Sequence, residues 1–167
     1  YVKNNILEVL ANGTLNFTIK GIHIGIKVIW NYAPPTNGGD TFTSIKKGTK
    51  ATLKTVQNTK NGFTKELYIQ KEQNTDSATF RIQLQKTIEE LRDTYPFLSV
   101  KEENNELYLI DIPQEHRSNH EAHFSKVAKT FLHYLQYKDM PEWENENIIS
   151  KYYITTTAVE MAKLENN

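Results

Sequence analysis

The sequence predicts an α+β fold: an open, mostly antiparallel β-sheet with about three helices packed on one face. Short apolar–polar alternations, punctuated by glycine and asparagine, fill the N-terminal part in the pattern of paired strands. Phe80, Leu84, Ile88, Leu91 and Tyr95 then follow a helical period, closed by Pro96. Ser118 and Glu121, at capping-box spacing, open a helical C-terminal part.

Taken in order, Asn12-Gly13 sits between apolar segments 6–10 and 15–19 and is the preferred dipeptide of a two-residue hairpin turn. Leu15, Phe17 and Ile19 share one parity, whereas Ile22, Ile24, Ile26, Val28, Trp30 and Tyr32 share the other. Gly21 stands at the change, so a bulge or bend is expected there. Segments 41–47 and 50–56 form the next strand pair, turned at Gly48, and Asn61-Gly62 marks a turn before a strand over 63–70. Strands over 97–101 and 106–112 follow the first helix, with a bend at Asn104-Asn105. Leu107 and Leu109 face one way and Tyr108, Ile110 and Ile112 the other, so both faces of that strand are expected to be covered. Phe124, Val127, Phe131 and Leu135 supply the apolar stripe of the next helix. Met140-Pro141 breaks the chain, and Asn145 or Asn147 is the expected cap of a last helix, with Ile149, Tyr152, Thr156 and Val159 inward.

Composition narrows the function. A length of 167 residues suffices for one domain with a single core. Twenty basic residues balance twenty acidic ones, so no global field directs the chain to nucleic acid or to an anionic membrane. No apolar stretch approaches the roughly 20 residues of a membrane span. Cysteine is absent, which excludes disulfide scaffolds, thiolate zinc sites and cysteine nucleophiles. The chain begins with Tyr1 rather than methionine and reads as a segment of a longer polypeptide.

The alternating strand from Ile22 to Tyr32 leads through Pro34-Pro35 into Gly38-Gly39-Asp40-Thr41 and then into an Ile45-x-x-Gly48-Thr49-x-x-x-Leu53 strand pair. This arrangement resembles the C-terminal domain of the Gfo/Idh/MocA oxidoreductases. The helical end, with Asn119-His120-Glu121-Ala122-His123-Phe124, Pro141-Glu142-Trp143-Glu144 and the run from Ile148 to Ala158, is similar to one bacterial oxidoreductase C-terminal-domain branch of that group. The resemblance covers nearly the whole chain. It implies a parent that uses NAD(P) to oxidise or reduce a sugar, cyclitol or related polyol, with a Rossmann domain placed N-terminally, outside this chain. It further implies a homo-oligomer formed through the open sheet face. The family's dinucleotide fingerprint and Glu-Lys-Pro lysine have no counterpart here, so neither role transfers to a residue of this chain. Some relatives carry a histidine in the loop where this sequence has Phe42, which departs from polar recognition at that position.

The candidate site residues come from two places. Asp40 and Thr41 follow two glycines, where close backbone approach and a carboxylate suit a substrate hydroxyl; the plainer reading is a shaped connection between strands. His120 and His123 sit at a helix start, which offers donors to oxygen-rich ligands. With His116 they have metal-ligand spacing, and Asp111, Glu115 or Glu121 could complete a shell. The cap at Ser118 places His116 ahead of the helix, however, and no His-Glu-x-x-His supplies a general base, so no metal site is assigned. Trp30, Tyr32 and Trp143 are flat enough for sugar faces but read as packing. Nucleophilic catalysis has no motif, and Glu89-Glu90 and Glu102-Glu103 are solvated pairs.

The expected function is a substrate-binding and assembly domain, spanning 1–167, of an NAD(P)-dependent oxidoreductase. Alone it is expected to be inactive, since the cofactor belongs to the absent domain. The alternative is a non-catalytic binding or oligomerisation module on an oxidoreductase-like scaffold. A third, weaker reading is a hydrolase built on the histidines.

Overall fold

The computed structural model describes residues 2–7, 11–36 and 38–165. They form two compact units, one from 1–33 with 124–167 and one from 34–123.

In the first unit, β1 (Val2–Lys3) and β2 (Ile6–Leu7) pair through Asn4 and Asn5, whose φ of 51° and 64° make a turn that asparagine tolerates well. The sequence reading missed this turn. β3 (Gly13–Ile19) and β4 (Ile22–Val28) then form an antiparallel ribbon. At the expected Asn12-Gly13 hairpin, Gly13 opens β3, and Asn12 Oδ1 accepts the Trp30 N–H at 2.6 Å. Residues 8–10 of that hairpin's expected first strand lie outside the described residues. The break in parity at Gly21 is a turn rather than a bulge, with Lys20 and Gly21 at φ 48° and 79°. A two-residue connection reverses parity along the chain yet returns both sets of apolar side chains to one face. Leu15 stands opposite Ile26, Phe17 opposite Ile24 and Ile19 opposite Ile22.

The second unit is built on a five-stranded sheet in the order β5-β6-β7-β9-β8, with every neighbouring pair antiparallel. Its strands are β5 (Phe42–Lys47), β6 (Ala51–Gln57), β7 (Glu66–Lys71), β8 (Ser99–Asn104) and β9 (Leu107–Asp111). Gly48 turns β5 into β6, as expected, its N–H donating to Ala51 O at 2.9 Å. At Asn61-Gly62 the chain makes a 3-10 turn, Thr59–Asn61, in which the Asn58 and Asn61 side chains cap each other's backbone. Gly62 and Phe63 both have φ 59°, so β7 starts at Glu66 rather than at 63.

Helix α1 (Ser77–Leu91) connects β7 to β8 and lies on one face of the sheet. Asp76 caps it, its carboxylate accepting the Thr79 N–H at 2.8 Å. Leu84 and Ile88 project from α1 onto Tyr108 and Ile110 of β9, and with Leu98 they form the core of this unit. Phe80 adds a tilted ring contact with Tyr108 at 5.6 Å. On the opposite face the register collects Lys54, Glu66, Tyr68, Gln70, Leu107, Leu109, Lys101 and Asp111. There Lys54 bonds Gln70, Tyr68 donates to Glu66 at 2.8 Å, and Lys101 meets Asp111 at 2.7 Å. The open face is thus mixed, its hydrogen-bonded polar groups lying among Ile45, Val56 and the half-buried Leu107 and Leu109.

Helix α2 (His120–Tyr137) is capped by Asn119, whose Oδ1 accepts the Ala122 N–H at 2.9 Å, and not by Ser118. Helix α3 (Glu142–Glu165) starts directly after Pro141, whose carbonyl accepts Glu144 N–H at 3.0 Å, so Asn145 and Asn147 are interior residues and not caps. The α2 stripe of Phe124, Val127, Phe131 and Leu135 is exposed, as are Ile149, Tyr152 and Val159 on α3, where the sequence pattern had them inward. Among the described residues no helix is long and apolar enough to cross a membrane.

Candidate functional site

The antiparallel register places the start of β5, the end of β6, the start of β7, the end of β9 and the start of β8 at one end of the five-stranded sheet. Both groups of expected site residues are attached to that end. Asp40 and Thr41 enter it ahead of β5, and residues 112–119 leave it from β9 towards α2, whose first turn carries His120 and His123.

The Asp40 loop is shaped by backbone rather than by side chains. Gly38 N–H donates to Pro35 O at 2.7 Å, and a Cβ on Gly38 would lie 2.7 Å from that same oxygen, so only glycine fits. Gln57 Nε2 donates to Asp40 O at 3.0 Å, which fixes the loop to β6 and leaves the exposed carboxylate turned to other uses. Phe42, next along, lies under the Lys65 ammonium at 5.1 Å from the ring centroid.

Arg117 ties the other half of the site to the sheet. Its Nε donates to Ile112 O at 3.0 Å and its Nη1 to Lys65 O at 2.6 Å. The two site segments therefore meet at Lys65, which touches Phe42 with its side chain and Arg117 with its carbonyl. His116 stacks on Phe97 with ring centroids 3.8 Å apart and planes 9° apart, within the 3-10 turn Gln114–His116. His123 Nε2 is hydrogen-bonded to the Ser118 hydroxyl. His116 and His123 thus have different settings, and Asp111 is committed to Lys101. Among the described residues no group of three or more His, Cys, Asp or Glu side chains is arranged to hold a metal ion.

Sequence reasoning missed Gln57, Lys65, Arg117 and Phe97, because their roles depend on partners 17 to 52 residues away that no spacing rule joins. It also missed a polar cleft of about 350 Å³ at the other end of the sheet, lined by Gly48, Thr49, Gln70, Lys71, Asn74 and Glu106. Lys71 is only 5 % exposed there, and its ammonium donates to Glu72 O at 3.2 Å and Thr75 O at 3.0 Å. Thr52, equally buried, donates to the Glu72 carboxylate at 2.6 Å. These bonds hold the turn that leads into α1.

That turn can also be compared with the turn that holds a dinucleotide in a β-α-β unit. β7, α1 and β8 form a split β-α-β unit, with β9 inserted between the two parallel strands. The connection from Glu72 to Asp76 carries no glycine, and the Asp76 carboxylate already occupies the helix N-terminus where a pyrophosphate would sit. The hydrogen bonds from Thr79 hold that carboxyl below its usual range, so it stays charged and repels phosphate. The residues of this turn do not fit a dinucleotide.

The site offers an exposed carboxylate, a threonine hydroxyl and imidazoles on a rigid sheet end, a donor and acceptor set suited to substrate hydroxyls. Comparison with known proteins shows a likeness to part of a larger chain. A putative oxidoreductase from Parabacteroides merdae ATCC 43184, solved by crystallography at 2.23 Å, superposes with a TM-score of 0.90 at 36% identity. The match covers 98% of this chain but 37% of that one, so this chain spans little more than a third of its relative. No curated protein matches. The family model described as "Putative oxidoreductase C terminal domain" matches residues 1–163, and the chain belongs to that family.

Proposed function

We propose that residues 1–167 form the substrate-side and assembly domain of an NAD(P)-dependent oxidoreductase of the Gfo/Idh/MocA type, acting on a sugar, cyclitol or related polyol. The observation that carries this reading is the convergence of the Asp40–Thr41 loop and the start of α2 on one sheet end, joined through Lys65 and Arg117. Asp40 and Thr41 accept and donate to substrate hydroxyls, and His120 and His123 complete the polar wall. The dinucleotide belongs to the rest of the parent polypeptide, and this chain supplies orientation rather than the hydride step. The hydrogen-bonded open face of the sheet would make contact with a second copy through polar pairs such as Lys101 and Asp111 as much as through leucines.

The test uses the full-length parent and a panel of sugars and cyclitols, with NAD(P)H followed by absorbance. Asp40→Ala and His123→Ala are expected to raise KM by about tenfold each, the loss of roughly one hydrogen bond, while nucleotide affinity holds. A parent that binds no nucleotide and reduces or oxidises none of the panel defeats the reading and leaves the non-catalytic module.

A further inference from the structure

One residue of the β6–β7 connection holds a backbone conformation that its side chain disfavours. Phe63 has φ 59°, directly after Gly62 at the same angle. Left-handed backbone is uncommon for any residue with a Cβ and an outlier for a bulky one. The other non-glycine residues with positive φ among the described residues are Asn4, Asn5, Lys20 and Lys138, which serve hairpin turns or follow the end of α2. None of those is aromatic. Glycine or asparagine at 63 would meet the same backbone demand at lower cost, so the backbone does not account for a phenylalanine there. The placement of its ring does.

The conformation is held by the connection itself. Phe63 N–H donates to Asn58 O at 2.8 Å, Thr64 N–H to Asn61 O at 3.1 Å, and Asn61 Nδ2 to Val56 O at 3.0 Å. Strain of this kind persists where the surroundings over-determine it, and it gathers at functional sites. The half-buried Phe63 ring stands beside the Asp40 loop: a Cβ built on Gly39 would lie 3.7 Å from Phe63 Cγ, at ordinary van der Waals contact. Asp40 follows, its carbonyl held by Gln57 Nε2 at 3.0 Å, and Phe42 then lies under the Lys65 ammonium. Gly39, Asp40 and Phe42 thus each rest on a residue drawn from 57–65. All of these contacts lie within 34–123.

We propose that Phe63 is a positioning residue for the substrate site: its ring, placed against Gly39 by the left-handed backbone, sets where the Asp40 carboxylate and the Thr41 hydroxyl stand. It acts through the loop rather than on the substrate. This rests on the reading of Asp40 and Thr41 as substrate-binding groups. A displacement of about 1 Å in such groups is enough to be felt in the kinetics, which gives the strained residue its use.

The test uses the full-length parent. Phe63→Gly, which frees the backbone and removes the ring, is expected to raise the substrate KM about tenfold, the factor expected for Asp40→Ala, with kcat changed by less than about twofold. In an Asp40→Ala background it should add less than about twofold, because both changes remove one interaction. Phe63→Tyr keeps the ring and should restore the KM. Amides of 38–41 should exchange at least about tenfold faster in Phe63→Gly, while those of 66–71 are unchanged. An unchanged KM, a factor that multiplies with that of Asp40→Ala, or unchanged exchange at 38–41 overturns the proposal and leaves the ring as packing. Phe63→Asn, which also accepts left-handed backbone, takes the place of Phe63→Gly if that variant fails to fold. A parent with no turnover on any sugar or cyclitol defeats the enzyme reading alone, and exchange at 38–41 still decides whether the ring fixes the loop.

Discussion

Ile88 is 2 % exposed, between α1 and the sheet, while Ile82 on the same helix is 73 % exposed. The two isoleucines differ only in what surrounds them. Ile88→Ala is expected to cost about 2–5 kcal/mol through lost burial and the cavity left behind. Ile82→Ala should change stability by less than about 0.5 kcal/mol, and urea denaturation of both variants makes the comparison. Tyr68 shows how one hydrogen bond sets a pH dependence. Burial, and then the bond to Glu66, push its phenol from the ordinary 10.0 up to about 12. The folded state keeps a proton that the unfolded chain releases above about pH 10. The Tyr68 contribution is therefore complete below pH 10.0 and is lost as the pH rises towards about 12. Tyr68→Phe should flatten the fall in stability over that range, read from denaturation midpoints at successive pH values.

At the scale of the element, termini decide more than interiors. Ser118 and Glu121 have the spacing of a capping box, yet Asn119 receives the Ala122 N–H and Ser118 turns to His123. Asn119→Ala is expected to destabilise the protein by about 1 kcal/mol, with loss of helical circular dichroism on mild heating. Ser118→Ala should leave helix content unchanged; the reverse result would restore the cap to Ser118. The same local competition moved the start of α3 to Pro141 and away from the two asparagines. In the β3–β4 ribbon, the change of parity at Gly21 has two physical solutions, a bulge or a tight turn. The positive φ of both Lys20 and Gly21 selects the turn.

At the scale of the whole molecule, the 167-residue chain is expected to bind neither NAD nor NADP in isothermal titration, because Asp76 fills the helix start of the β-α-β unit found among the described residues. Measurable binding would overturn that assignment. The sequence by itself determined the α+β class, the strands of the five-stranded sheet to within a few residues, the stripe of α1 and the family resemblance. Those signals are periodic or local and survive without knowledge of partners. Only the tertiary structure decided that the Asp40 loop and the start of α2 share one sheet end, since their link runs through Lys65 and Arg117, 52 residues apart. It alone showed that the stripe of Phe124, Val127, Phe131 and Leu135 is exposed in this chain while the stripe of α1 is buried. Periodicity states that a face is apolar; which surface covers it is a property of the rest of the fold.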